Sequence, residues 1–248
     1  MKIEVITLFP ELVEQVARHG MPRIASEQGA LQLTTRNPRD YSGNKWRRVD
    51  DRPYGGGPGM VMEAEPLRQA SQEARQAVGG GRVVYLSPQG ERFDQRWAER
   101  LSREAGLVLL CGRYEGVDER FIAAEVDLEL SLGDFVLSGG ELAAMVMIDA
   151  IARLLPGVLG CGESAANDSF SAGLLDHPHY TRPEQWAGDA VPEVLIGGDH
   201  AKVARWRLKQ ALGRTWLKRP DLLDAMELDE DKGTLLREFI AEQSLKRG

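Results

Sequence analysis

Apolar and polar positions over the first 156 residues fall into short alternating blocks. Near the amino terminus Ile3, Val5, Ile6 and Leu8 mark a buried strand over 2–8. Pro10 suits a helix start, and the pattern predicts a helix over 11–19 that Gly20 ends. A second strand over 30–35 is stopped by Asn37-Pro38. A polar-rich helix over 65–78 closes at Gly79-Gly80-Gly81. Arg82 to Leu86 is the third strand, with Ser87-Pro88-Gln89-Gly90 as the turn after it. A helix over 94–105 leads to Leu107–Cys111, the most apolar strand of the chain, as a central parallel strand should be. Gly112 to Gly116 is a turn, 117–124 a short helix and 126–130 the fifth strand. SLGDFVLSGGE follows, then a helix from Gly140 to Leu155 that stops at Pro156-Gly157.

Strands alternating with helices predict an α/β fold, a mostly parallel sheet with helices on both faces. Ligands of such sheets bind beyond the carboxyl ends of the strands. Three turns occupy that position: Ser87 to Gly90, Gly112 to Gly116, and Ser131 to Gly140. They are expected to converge on one pocket. Their small residues let main-chain groups approach a flat ligand closely.

After residue 156 the pattern changes. Residues 157–175 are rich in Gly, Ser, Ala and Asp and read as a linker or lid. An irregular stretch, His177 to Pro183, is followed by predicted helices to the carboxyl terminus. The expected organisation is a cofactor-binding domain over 1–160, a linker over 161–175 and a small helical domain over 176–248.

Composition adds limits. A hydrophobic fraction of 42% with 28% charged residues can supply a real core. No apolar run reaches the ~18 residues of a membrane span, and MKIEVITLFPE turns acidic too early for a signal peptide. The expectation is a cytoplasmic protein with no membrane partner. Cys111 and Cys161 form no metal-type pair and read as free thiols.

The net charge of −7 argues against a protein coated in nucleic acid, but it hides an asymmetry. Lys202, Arg205, Arg207, Lys209, Arg214, Lys218 and Arg219 lie in one segment with no acidic residue between them. On a helix they form two stripes, Lys202, Arg205 and Lys209 on one and Arg207, Arg214 and Lys218 on another. Uncompensated cations at this density point to a directed polyanion contact. Trp206 and Trp216, in the same segment, read as core residues.

Other motifs carry less. DDRPYGGGPGM, 50–60, is too rich in Gly and Pro for a helix or regular strand, and no Lys-Ser/Thr follows to make a phosphate loop. It is either a plain surface loop or one laid against a nucleotide, with Asp50, Asp51 and Arg52 as polar handles. Gly160 to Ala165 matches a dinucleotide fingerprint but follows a helix and Pro156 rather than a strand. Asp176, His177 and His179 have metal-ligand chemistry without a further ligand cluster, so the structural reading is preferred. Arg153 suits the dipole at a helix carboxyl end, and Asp168 a cap. From residues alone, an RNA-binding protein without catalysis and a dinucleotide oxidoreductase stay open.

A resemblance narrows these. ITLFPE (6–11), NPRDY (37–41), VDDRPYGGGPGM (49–60), YLSPQG (85–90), CGRYEGVDER (111–120), GDFVLSGGE (133–141), IDAIARLLPGVLG (148–160), DSF (168–170), HYTRP (179–183) and WRLKQ with RTWLKRP (206–220) stand in this order. Together they resemble the bacterial tRNA (guanine-N1)-methyltransferase family across nearly the whole chain.

The resemblance implies a SPOUT-type fold with a trefoil knot, and a homodimer with active sites at the subunit interface. It implies S-adenosylmethionine as cofactor and tRNA as substrate, methylated on N1 of the guanosine just 3′ of the anticodon. Asp168 would be the general base for N1–H, and Arg153 would stabilise the charge building on O6. The cofactor would be held by Tyr85, Leu86, Ser87, Pro88 and Gly90; by Gly112, Arg113, Tyr114 and Glu115; and by Ser131, Leu132, Gly133, Leu137, Gly139 and Gly140. The basic segment, Lys202 to Arg219, would contact RNA. The family often has Pro where this chain has Ala143. It is also Mg²⁺-dependent, with no ligand set assignable in this sequence.

Overall fold

A computed structural model describes residues 1–159 and 168–247. The chain divides into two compact units, Met1–Gly160 and Cys161–Gly248.

The first unit is built on a five-stranded, all-parallel sheet: β1 (Lys2–Ile6), β2 (Gln32–Arg36), β5 (Arg82–Arg92), β6 (Gly106–Cys111) and β7 (Leu128–Ser131), in the order β2-β1-β6-β5-β7. The apolar strand β6 is the central one and is buried along its whole length. Alternate residues of the strands feed two cores. Ile3, Val5, Leu107, Leu109 and Cys111 face one side. They pack there against α1 (Pro10–Glu14), α2 (Gly20–Glu27), α4 (Gln95–Ser102) and α6 (Glu141–Ala152). Ile6, Val83, Tyr85, Val108 and Leu110 face the other, against α3 (Ala64–Ala77) and α5 (Glu119–Glu125). Two-sided burial is why the central strand β6 reads as a continuous apolar run rather than an alternating one.

Local chemistry sets several boundaries. Asp94 accepts a hydrogen bond from Trp97 N at 3.0 Å and caps α4. Asp118 does the same for α5 through Arg120 N. Pro10 is at the first turn of α1, as expected.

Three expectations need correction. The helix predicted over 11–19 is α1 followed by a 3₁₀ turn, Gln15–Arg18, and Gly20 opens α2 instead of closing a helix. The extended backbone of His19 breaks the first helix one residue early. The segment Ser87 to Gly90 is no simple turn: β5 continues through it to Arg92, with a register shift against β7 between Leu86 and Glu91. A bulge of this kind accommodates Pro88 without ending the strand. The third concerns 50–60. Asp50–Asp51 (β3) pairs antiparallel with Val61–Met62 (β4), so the glycine-rich loop is the tip of a short ribbon.

The second unit holds the turn 168–173, a two-residue ribbon of β8 (Gln185–Trp186) and β9 (Asp189–Ala190), and helices α7 (His200–Lys218), α8 (Pro220–Asp224) and α9 (Glu230–Arg247). The ribbon stands where helices were expected. Its turn uses Ala187 and Gly188, both at positive φ. Helices α7 and α9 pack through Leu212, Leu235 and Phe239. The ring of Phe239 occupies the space a side chain at Gly213 would need. Trp216 is 37% exposed and Trp206 is half-buried beside Tyr180 and His177, so neither is a core residue.

The dinucleotide-like stretch 160–165, Cys161 and the 161–167 part of the expected linker lie outside the described residues. Among the described residues no helix is long and apolar enough to cross a membrane.

Candidate functional site

The carboxyl ends of β5, β6 and β7 open into a cavity of about 160 Å³. Its walls are the three segments named from the sequence. Tyr85, Leu86, Ser87 and Pro88 come from the β5 bulge, and Gly112, Arg113, Tyr114 and Glu115 from the turn after β6. Ser131, Leu132, Gly133, Leu137, Gly139 and Gly140 come from the loop after β7. Gly90 is not in the lining; its α-carbon packs against the backbone of Glu129 and Leu130, where a side chain would not fit.

Close backbone approach shapes the floor. Gly140 N donates to Gly112 O at 3.0 Å, which ties the β7 loop to the β6 turn. A Cβ at Gly140 would lie 2.7 Å from Cys111 Cα, and one at Gly112 would lie 2.8 Å from the Tyr85 ring. Tyr114 is held at φ +61, a conformation few non-glycine residues adopt. The Tyr85 phenol is pushed up from its ordinary pKa by burial and by the nearby Glu129 carboxylate, so it is neutral at physiological pH.

A buried carboxylate below the cavity joins three of the motifs. Glu141, 1% exposed at the first position of α6, accepts from Thr7 Oγ1 at 2.9 Å and from Arg113 Nε at 2.9 Å. Thr7 Oγ1 in turn accepts from Phe9 N, and Arg113 Nη1 donates to Ser138 O at 3.1 Å. The Arg113 guanidinium also stacks 4.4 Å from the Phe9 ring centroid. Sequence reasoning named Arg113 but missed Thr7 and Glu141. The available signal was an acid opening an otherwise apolar helix, ELAAMVMI. Gly116, Phe135, Val136 and Ser138, within the turns expected to form the pocket, complete the lining with Ala143 and with Leu130, which the sequence reading did not place there. Ala143 stands where the family often has Pro and is 8% exposed.

The remaining named residues lie elsewhere. Arg153 is exposed at the carboxyl cap of α6, in the first unit. Asp168 is half-buried at the start of the turn 168–173, in the second, where its carbonyl accepts from Ser171 N at 3.2 Å. In that unit the Asp176 carboxylate accepts from His177 N at 2.7 Å and lies 2.7 Å from His179 Nε2. Burial would raise the Asp176 pKa, but these hydrogen bonds and the two imidazoles lower it below the ordinary value. Asp176, His177 and His179 are the one metal-type group of three among the described residues. Two imidazoles and one carboxylate do not suit Mg²⁺, which takes oxygen ligands.

The sequence predicts seven uncompensated cations in α7 and at its end, and the structure corrects this, because four of them have carboxylate partners. Lys202 pairs with Asp199 at 3.4 Å and Arg219 with Asp221 at 2.7 Å. Arg205 pairs with Glu238 and Lys209 with Glu242, each at 2.6 Å, tying α7 to α9. The acids come from outside the segment, which is why the local sequence hid them. Arg207, Arg214 and Lys218, the second stripe, have no carboxylate partner among the described residues.

Residues 1–225 match the model of a protein family described as tRNA (Guanine-1)-methyltransferase TrmD. The chain belongs to the tRNA (guanine-N1)-methyltransferase family. Relatives named tRNA (guanine-N(1)-)-methyltransferase agree. The protein of Halorhodospira halophila is 62% identical over 97% of this chain and 92% of its own. That of Chromohalobacter salexigens is 56% identical over 98% of this chain and 94% of its own. That of Methylococcus capsulatus is 56% identical over 100% of this chain and 99% of its own. Membership makes the protein a methyltransferase with a SPOUT-type α/β fold.

Proposed function

We propose that the protein transfers a methyl group from S-adenosylmethionine to N1 of the guanosine immediately 3′ of the anticodon of tRNA. The observation that carries this reading is the cavity at the ends of β5, β6 and β7, in a chain of this family. Its residues fit the cofactor. Gly112 and Gly140 keep the floor at backbone height, where a flat adenine can lie. Glu115 offers a carboxylate toward a cationic ligand. S-adenosylmethionine, when bound, supplies a methyl already activated by its sulfonium charge.

The chain must supply a base, charge stabilisation and positioning. Guanine N1 carries a proton and is a poor nucleophile until that proton leaves. Asp168, half-buried at the start of the turn 168–173, takes it as the general base. As N1–H is lost, negative charge moves to O6, where the Arg153 guanidinium stabilises it. Arg113, fixed by Glu141, orients the wall between the β6 turn and the β7 loop. Of the basic segment, Arg207, Arg214 and Lys218 are the cations available to RNA phosphates.

The same reading includes the trefoil knot, a cytoplasmic location and a homodimer. The dimer is supported by an apolar face on the first unit. Leu142 and Val146, one turn apart on α6, are 52% and 50% exposed, beside Phe135 at 54% and Val136 at 84%.

The test is methyl transfer from labelled S-adenosylmethionine to tRNAs that carry or lack guanosine at the position after the anticodon. Activity is expected only on the first, and Asp168→Ala is expected to lower kcat at least a hundredfold. Full activity in Asp168→Ala would remove it as the base.

A further inference from the structure

The exposed loop between Arg39 and Tyr54 has no role so far, and its composition is unusual for an acidic protein. It carries Arg39, Lys45, Arg47, Arg48 and Arg52 against Asp40, Asp50 and Asp51, with Trp46 and Tyr54 among them. We infer that this loop is a second RNA-contacting surface, which guides the tRNA to the cavity; the inference rests on the function proposed above.

The loop is a fixed scaffold. Trp46 N donates to Asn44 Oδ1 at 2.8 Å and Arg47 N to Asn44 O at 2.8 Å. Ser42 Oγ donates to Arg48 O. Val49, fully buried, plugs the loop into the core below β1. Two of the cations are consumed by this framework. Arg47 pairs with Asp40, and Arg39 donates to Arg47 O at 3.0 Å. The other three, Lys45, Arg48 and Arg52, are exposed and have no carboxylate partner among the described residues, although Arg48 Nη2 donates to Asp50 O at 3.4 Å. Fixed like charges without counterions are offset best by a polyanion.

The aromatics select among polyanions. Trp46 is 72% exposed and Tyr54 is 98% exposed. Exposed rings cost hydration and gain nothing inside this unit, apart from Lys45 above the Trp46 ring. Unpaired bases of an RNA loop stack on such rings while phosphates meet the neighbouring cations. An acidic protein would use the cations and leave the rings without a partner.

Position supplies the last argument. Arg39 Nη2 reaches Tyr114 Oη at 3.4 Å. Glu115 N donates to Met60 O and Met62 N to Gly116 O, both at 2.9 Å. The ribbon that the loop leads into is therefore bonded directly to the cavity turn through Met60 and Met62, at Glu115 and Gly116. RNA held on the loop is delivered beside the cavity wall.

The experiment measures tRNA binding by fluorescence anisotropy across a salt series, on the full chain. Each phosphate contact contributes roughly 0.7–0.9 to the slope of log K against log salt. The triple variant Lys45→Gln, Arg48→Gln, Arg52→Gln is expected to lower that slope by about 2, with an unchanged urea midpoint. Trp46→Ala is expected to weaken binding roughly tenfold without changing the slope, and Trp46→Phe to restore most of it. A triple variant with the wild-type slope overturns the inference. So does polyglutamate that competes as well as single-stranded RNA. Wild-type protein that binds tRNA but never methylates it overturns the proposed function, while the slope still decides the loop.

Discussion

The carboxylate of Glu141 lies 2.9 Å from both Nε and Nη2 of Arg113, and this pair locks the β6 turn to the start of α6. Glu141 is 1% exposed, and the Arg113 side chain 20%. Removing the acid strands a guanidinium and the Thr7 hydroxyl together. Breaking such a buried pair costs about 3–5 kcal/mol. Glu141→Ala should therefore lower the unfolding free energy by about 3 kcal/mol in a urea titration. Glu141→Gln keeps an acceptor for one of the two donors and should lose less. Its affinity for S-adenosylmethionine, read by calorimetry, should fall several-fold, because Arg113 forms part of the cavity wall.

Gly59 and Gly55 separate two uses of glycine in one loop. Both have positive φ, +82 and +86. The Glu115 side chain occupies the place where a Cβ at Gly59 would go, whereas nothing lies within 4 Å of one at Gly55. Gly55→Ala should cost only backbone strain, about 1 kcal/mol. Gly59→Ala should cost more and displace Glu115, raising KM for the methyl donor at least tenfold while Gly55→Ala leaves KM unchanged. Steady-state kinetics with thermal melts of both variants distinguishes these outcomes.

The two stripes of α7 should behave differently. Arg205→Gln and Lys209→Gln each break a pair to α9, and double-mutant cycles with Glu238 and Glu242 should give coupling of about 0.2–1 kcal/mol. Arg207→Gln and Lys218→Gln break no such pair. They should leave the melting temperature unchanged and lower the salt slope of tRNA binding by about 1 each.

Cys111 is free, fully buried at the end of β6 and directly below the cavity floor. Burial pushes its thiol pKa well above the ordinary value, and the nearby Glu141 carboxylate adds to the shift. The thiolate is the reactive form. In a Cys161→Ser background, folded protein should give no reaction with a thiol reagent at pH 8, and full reaction once unfolded in urea. Rapid labelling of the folded protein would contradict the buried geometry.

Much of the first unit was legible in the sequence. Two-sided burial writes itself as an apolar run, so the central place of Leu107 to Cys111 could be read directly, while the other strands were legible from their alternation with helices. The three cavity walls were legible because close backbone approach demands small residues at strand ends, and Gly112 and Gly140 meet that demand. Less could be read where a residue's role depends on a distant partner. Thr7 and Glu141 are 134 positions apart, and no local pattern connects them. The acids that neutralise Arg205 and Lys209 lie 33 positions downstream, so the segment alone exaggerated its free charge. The close packing of Gly90 against the backbone of Glu129 and Leu130 depends on the β5 bulge and β7, and no local pattern shows it. Sequence determined the fold class through short-range periodicity, the family through the resemblance of its ordered motifs, and the chemistry available at each position through residue type. Tertiary structure decided which charges are paired, which glycines face the cavity and which loop is bonded to its wall, since these depend on contacts between residues far apart in the chain.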